Sequence, residues 1–314
     1  MTLNSFLKLD PAYRDYVWGG NILRPGNSPT AEAWVVWEND VVESGVFKGK
    51  TLGELATQFG SELLGTNPTA RTGTRFPLLI KLLDCAQWLS LQVHPNDELA
   101  VQLEGPNQFG KTEAWHILDA QPDAKLIAGL QPNTSATTVA DSIRNGTITE
   151  HVQYANVTQG QTIFMPAGTL HALGPGLFVY EVQQTSDWTY RVYDWGRPAT
   201  EARPLHIEKS IQVTKADFTA PIIPAPTYGD GTQSLLTQCE YFTLEMLSAS
   251  TKSINLDTKG TSFHAITVIE GKAVLQAGNE KIELEKFQTA VIPANVGAYQ
   301  FQPITNCRAL KSSV

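Results

Sequence analysis

Cysteine is scarce and carries no pattern. The three residues, Cys85, Cys239 and Cys307, lie far apart, and no Cys-x-x-Cys spacing is present. An odd, scattered set argues against a disulfide framework and predicts free thiols in a reducing compartment. Positive charge is also short. There are 23 Lys and Arg against 31 Asp and Glu, for a formal net charge of -8. That balance argues against a general nucleic-acid binder and against docking on an anionic membrane. An anionic small molecule stays open, since a local cluster of cations can stand on a negative protein. No apolar run of about 18 residues exists, so no membrane helix is expected. The start, MTLNSFLKLDPAYRDYVWGG, has no basic segment followed by an apolar one, so it does not read as a secretory signal. A cytoplasmic protein is the expectation by elimination.

What is present suits a folded protein with a real core. The 314 residues are 42% hydrophobic and 17% charged, enough for one large or two moderate domains. Strand signals dominate. Residues 31 to 48 and the runs Phe76 to Leu83, Trp88 to Val93, Thr112 to Leu118, Lys125 to Leu130 and Val152 to Val157 are rich in β-branched and aromatic or apolar residues. Thr162 to Pro166, Phe178 to Gln184 and Thr189 to Asp194 read the same way. Helices are predicted over Thr51 to Leu64, where Thr51 and Glu54 have capping-box spacing, over Asn96 to Leu103, and over Asn133 to Asn145. The stretch Thr219 to Gly231, TAPIIPAPTYGDG, has the proline and glycine content of a linker. Beyond it, short strands at even spacing predict a small β-sandwich or barrel. The expected division is therefore a β-barrel domain with helical insertions over 1–218, a linker over 219–234 and a smaller β domain over 235–314.

The most informative stretch runs from Gly160 to Arg197. Gly160, five residues, Pro166, Ala167, Gly168, two residues and His171 read as strand, tight turn and strand, with an imidazole at the start of the second strand. Gln92 and His94 are two apart on a strand and so leave the same face. Glu113 is on the next strand, with Lys111 and Trp115 on its face. Two imidazoles, a carboxylate and a weaker amide oxygen make an open ligand set of the kind catalytic metals use, whereas a closed structural site would favour cysteines. Zinc is the first expectation, with iron(II) or manganese suited to the same ligands. Each histidine alone is more often a strand-end residue, and His116, His151, His206 and His264 are assigned that plainer role. A second cluster holds Glu181, Asp187, Arg191 and Lys111. Glu181 and Arg191 are expected on adjacent strands joined by a tight turn into a hairpin, as an acid/base group and a cation or as a buried ion pair. The turn has an echo: Pro293 placed on Pro166 puts Ala298 where His171 stands, so the second β domain is expected to lack the ligand.

These residues carry a resemblance. The Gly160-to-His171 spacing resembles the second motif of the cupin superfamily. FPLLIKLLDCAQWLSLQVHPNDELA, GKTEAWHILDA and MPAGTLHALGPGLFVYEVQQTSDWTYRVYDWGR resemble the type I mannose-6-phosphate isomerases in their short bacterial form, and PAYRDYVWGGNIL does so less strongly. AEAWVVWEND departs from the Gly-Glu-Ser-Trp-Glu pattern usual there. The resemblance implies a mainly β fold of two cupin-type jelly-roll barrels in tandem with a few helices in the N-terminal half. It implies one zinc per chain on Gln92, His94, Glu113 and His171. It implies Arg191 as catalytic arginine, with Lys111, Glu181, Asp187 and Ser90 lining the pocket; Trp18 is placed with the substrate-binding residues. The activity implied is interconversion of mannose 6-phosphate and fructose 6-phosphate through an enediol(ate). Glu181 is the expected base, with His94 and Lys111 as rivals, and Lys111, Arg197 and Ser90 are the phosphate candidates. The alternatives are an isomerase of another sugar or sugar phosphate, a non-catalytic sugar-binding cupin and a metal-dependent dioxygenase. A phosphorylated hexose is the expected partner of a monomer or homodimer.

Overall fold

Runs that are apolar on both faces form central strands, and runs that alternate form half-exposed ones. In the computed structural model, which describes residues 2–26, 29–198, 200–201 and 203–314, the protein is mainly β with few, short helices. Contacts divide the chain into two units, one of residues 13–32 and 82–225 and one of residues 1–12, 33–81 and 226–314. The division is not linear. Residues 33–81, expected within the N-terminal domain, group with the C-terminal strands, because contacts between segments far apart in sequence decide membership.

The first unit carries the candidate site between two sheets. One sheet has the order β9-β2-β7-β4-β5, where β2 is Leu91–Val93, β4 Lys125–Leu130, β5 Val152–Asn156, β7 His171–Leu173 and β9 Tyr190–Tyr193. The facing sheet runs β10-β6-β3-β8-β1, where β1 is Leu78–Cys85, β3 Glu113–Ala120, β6 Thr162–Met165, β8 Leu177–Gln184 and β10 Ile222–Ile223; residues from Leu82 on in β1 belong to this unit. Every residue of β8 is buried, as expected of a strand covered on both faces. Helix α1, Asp97–Glu104, starts where Asn96 accepts the N–H of Leu99. A further helix spans Ala136–Asn145 and ends at Gly146 in the left-handed conformation. Helix α2, Ile207–Val213, had no sequence signal.

Two expectations are corrected here. The strands β8 and β9 do not form a hairpin. β8 pairs with β3, and β9 pairs with β2 in the opposite sheet. The chain crosses between the sheets at residues 185–189, where Gln183 Nε2 donates to the Ser186 carbonyl and Gln184 Nε2 donates to Asp97 Oδ1 at 2.9 Å. These buried side-chain bonds hold the crossing away from a two-residue hairpin turn. The proline-rich stretch after residue 219 also enters the fold, since Ile222–Ile223 pairs with β6.

The second unit holds a sheet with strands in the order Thr232–Gln238, Thr243–Ala249, Cys307–Ser313, His264–Glu270, Thr289–Ile292, Leu7–Asp10 and Val41–Val42, and a four-stranded sheet of Ile254–Asp257, Ala298–Pro303, Lys272–Ala277 and Glu280–Glu285. Phe6, Leu247, Ile266, Leu275, Leu284 and Phe301 lie in its core. The helix expected over Thr51 to Leu64 forms with its capping box: Thr51 N–H donates to Glu54 Oε2 at 2.9 Å and Glu54 N–H donates to Thr51 Oγ1 at 3.1 Å. It breaks at Gly60, whose φ of 50° falls outside the helical region, into Leu52–Phe59 and Ser61–Leu64. The three cysteines are free. Burial pushes the Cys85 thiol up, and the Cys307 thiol up to about 12, so neither ionises near neutrality.

Candidate active site

Register places the polar residues in rows. Across the first sheet Arg191, Gln92, His171 and Ala128 stand opposite one another on β9, β2, β7 and β4. Directly opposed residues share a face, so Arg191, Gln92 and His171 look the same way. Across the facing sheet Met165, Glu113 and Gln183 form one row, and Ile163, Trp115 and Glu181 form the row two residues along. Glu113 and Glu181 therefore share the inner face of their sheet.

The rows meet at His94, Glu113 and His171, which are all buried and whose ligand atoms lie within 4.8 Å of one another. His94 Nε2 is 3.5 Å from Glu113 Oε2, and His171 Nε2 is 3.4 Å from Glu113 Oε1. The Gln92 amide lies 3.3 Å from His171 Nε2. Both imidazoles are held through the other nitrogen. His94 Nδ1 is 2.9 Å from the Trp188 carbonyl, and His171 Nδ1 is 2.8 Å from the Thr169 carbonyl. A carbonyl only accepts, so Nδ1 carries the proton in each ring, which in the neutral form leaves the Nε2 lone pair facing the cluster. Burial pushes His171 down to about 3, partly opposed by its bond to Thr169, so the imidazole is neutral at physiological pH. Two imidazole nitrogens and a carboxylate converging in a buried space are the donor set a divalent transition metal takes.

The local turn explains how His171 arrives there. Gly168 has a φ of 94°, and its N–H donates to the His94 carbonyl at 2.8 Å. A Cβ at this glycine would stand 2.8 Å from Lys215 Cγ. The turn is thus tied to the neighbouring ligand, and a side chain at its tightest point is excluded.

Lys111 and Glu181 stand beside the cluster. Lys111 Nζ lies 3.1 Å from His94 Nε2 and 3.8 Å from Glu181 Oε1, and it donates to Glu113 Oε2. Trp115 Nε1 donates to Glu181 Oε2 at 2.8 Å. Ser90 is buried with its hydroxyl 3.5 Å from Gln92 Oε1. Arg191 Nη1 donates to the Pro204 carbonyl at 2.9 Å, and burial pulls the guanidinium down from its usual range, helped by Arg203 and opposed by Asp194. Asp187 is exposed at the crossing. Trp18 is packed in the apolar core with Ala31, Leu83, Cys85 and Trp115. Arg197 donates to Asp194 Oδ1 at 2.9 Å and to the Trp88 carbonyl at 2.7 Å.

Sequence reasoning missed four contributions. Trp115 shares a face with Glu113 at i+2, which was visible, yet its bond to Glu181 needed the strand register. The Trp188 and Thr169 carbonyls that orient the ligands are main-chain groups, with no residue-type signal. Gln183 stands in the Glu113 row, as its spacing from Glu181 allowed.

Fold and site together define a cupin-type β protein with a buried cluster of two histidines and one glutamate that could hold a metal ion. Family models for the phosphomannose isomerase type I catalytic domain and the mannose-6-phosphate isomerase cupin domain match residues 6–113 and 232–312. The mannose-6-phosphate isomerase ManA of Bacillus subtilis is 33% identical, with 95% of this chain and 96% of that protein covered. The mannose-6-phosphate isomerase of Streptococcus mutans is 33% identical over 91% of both chains. The crystal structure of the mannose 6-phosphate isomerase from Bacillus subtilis matches with a TM-score of 0.84 at 29% identity, covering 99% of this chain and 100% of that one. The chain belongs to the type I phosphomannose isomerases, a family of aldose-ketose isomerases. No described helix is long and apolar enough to cross a membrane.

Proposed function

We propose that the protein interconverts mannose 6-phosphate and fructose 6-phosphate at this centre, with one zinc ion per chain held by Gln92, His94, Glu113 and His171. The observation that carries the reading is the His94–Glu113–His171 cluster with Lys111 and Glu181 directly behind it. When bound there, zinc supplies Lewis-acid stabilisation of negative charge on the sugar oxygens at C1 and C2.

The chain's own residues divide the remaining work. In the aldose-to-ketose direction a proton leaves C2 and one is delivered to C1, while the hydroxyl proton passes from O2 to O1. Glu181 is the carboxylate we assign to carry the carbon proton. Its Oε2 is held by Trp115, and its Oε1 faces Lys111 at 3.8 Å. Both contacts orient the carboxylate for the proton transfer asked of it. Lys111 and His94 are the alternatives for that role. Arg191 shares the face of Gln92 and His171, and we assign its guanidinium to the charge of the enediolate. Ser90, Lys111 and Asp187 are assigned to the substrate side, and the phosphate to Lys111, Ser90 and Arg197; Trp18, packed in the core, is not assigned to it. We further read the two sheets of each unit as an open jelly roll, giving a tandem cupin architecture, with the unit of residues 13–32 and 82–225 catalytic and the other metal-free. A cytoplasmic monomer or homodimer completes the reading.

Arg191→Ala tests the assignment. The variant should keep its zinc, measured by metal analysis, while kcat falls by about 100-fold or more, the scale of one lost charge-stabilising donor. A variant that turns over like wild type refutes the role of Arg191.

A further inference from the structure

The edge of β9 ends the five-stranded sheet, so the main-chain groups of Arg191 that point away from β2 have no strand to meet them. They are met by one residue. The Arg191 N–H donates to His206 Nδ1 at 3.1 Å, and the His206 N–H donates to the Arg191 carbonyl at 2.8 Å. Two residues earlier in the same segment, the Pro204 carbonyl accepts from Arg191 Nη1 at 2.9 Å. One short segment thus grips Arg191 at its amide, its carbonyl and its guanidinium. His206 is the residue at the N-terminus of α2, and its side chain makes no capping bond there, so the ring is committed to Arg191.

We propose that His206 is a positioning residue for Arg191, its imidazole standing in for the missing neighbouring strand and fixing where the guanidinium enters the site. The inference rests on the reading of Arg191 as an active-site cation. An edge strand without a partner frays and twists. A single peptide's rotation at Arg191 would carry its long side chain away from the face it shares with Gln92 and His171. Only the neutral ring can do this, because an imidazolium has two donors and no acceptor. The groups facing the ring are Tyr190 and Arg191 from β9, Glu104 from α1 and Lys209 from α2. Tyr190 and Lys209 both bond to Glu104 Oε1, at 2.6 and 2.7 Å, which leaves Glu104 largely compensated. Burial, then Arg191 and Lys209, pull His206 below its ordinary value, with Glu104 opposing, which keeps the acceptor available at neutral pH.

The test compares His206→Asn, His206→Gln and His206→Ala with Arg191→Ala in the zinc-loaded enzyme. Asparagine places its side-chain oxygen where Nδ1 stands, whereas the glutamine oxygen reaches toward the Nε2 position. His206→Asn should stay within about twofold of wild-type kcat, and His206→Gln and His206→Ala should lose about tenfold, the scale of one hydrogen bond. All should keep full zinc content. The acid limb of the wild-type kcat profile should flatten in His206→Asn, which has no ring to protonate. Equal kcat in the Asn and Gln variants, or an acid limb unchanged in His206→Asn, overturns the proposal; if His206→Ala fails to fold, the Asn and Gln pair decides. Should Arg191→Ala itself keep full turnover, the reading of Arg191 falls first and the positioning role falls with it.

Discussion

Each unit has a strand that ends at a proline and resumes five residues later, but the connections differ. The first has a Pro-x-Gly turn and the second a 3-10 helix over Ala294–Val296, and only the first presents a ligand-type side chain. In the first, strand Thr162–Met165 leads through Pro166 and Gly168, at a φ of 94°, to His171. In the second, strand Thr289–Ile292 leads through Pro293 and Gly297, at a φ of 71°, to Ala298. The fifth residue after the proline is a buried imidazole in one case and an exposed alanine in the other. The surroundings differ as well. Gly168 is bonded to the His94 carbonyl, whereas Gly297 donates to Thr258 Oγ1 at 3.0 Å. The second unit has its own buried imidazole, but His264 is satisfied by the Tyr299 hydroxyl at 2.8 Å, with no carboxylate ligand grouped around it among the described residues. The connection is therefore a scaffold. A ligand set needs the neighbouring strands to bring a second imidazole and a carboxylate to the same face.

The largest effect should come from removing the ligand the turn presents. His171→Ala should lose its zinc on metal analysis, and turnover should fall by more than about 100-fold, beyond the range seen when only the groups supporting a ligand are lost. The converse change breaks the comparison from the other side: Ala298→His should gain no metal, and a second zinc per chain would show that the position alone suffices. Next in size, Glu181→Gln should keep its zinc and lose kcat by roughly 10²–10⁴, the range of a positioned proton carrier. Wild-type turnover in that variant moves the role to Lys111 or His94. The smallest effect concerns stability in the second unit. Burial, then Lys311, pushes His264 down from 6.5 to about 3. Between those values the unfolded chain binds a proton that the folded chain does not. Stability is thus complete above pH 6.5 and is lost as the pH falls toward about 3. In His264→Gln, urea unfolding should show a shallower loss in that window, by about 1.4 kcal/mol per pH unit. An identical slope shows that the ring is not buried in its neutral form.

Much of the site was legible because it is written in short-range spacing. Gln92 and His94 alternate on one strand, Lys111, Glu113 and Trp115 on another, and the Pro-x-Gly turn announces His171. The capping box at Thr51 was readable for the same reason. What failed depends on partners far away in the chain. Phe178 to Gln184 and Thr189 to Asp194 have the local form of a hairpin, yet their pairing energy lies with β3 and β2, some 60 to 100 residues earlier. The grouping of residues 33–81 with 226–314 has the same origin. His206 had no ligand-like company in sequence, and its bonds to Arg191 arise only because a loop folds back on an edge strand.

The central claim is that His94, Glu113 and His171 hold a zinc ion on which turnover of mannose 6-phosphate depends. Metal analysis of the purified protein, coupled to an isomerase assay before chelation, after it and after zinc is returned, tests it most directly. The expected result is about one zinc per chain, loss of fructose 6-phosphate formation on chelation and recovery on adding zinc back. Full activity in protein stripped of metal would contradict it.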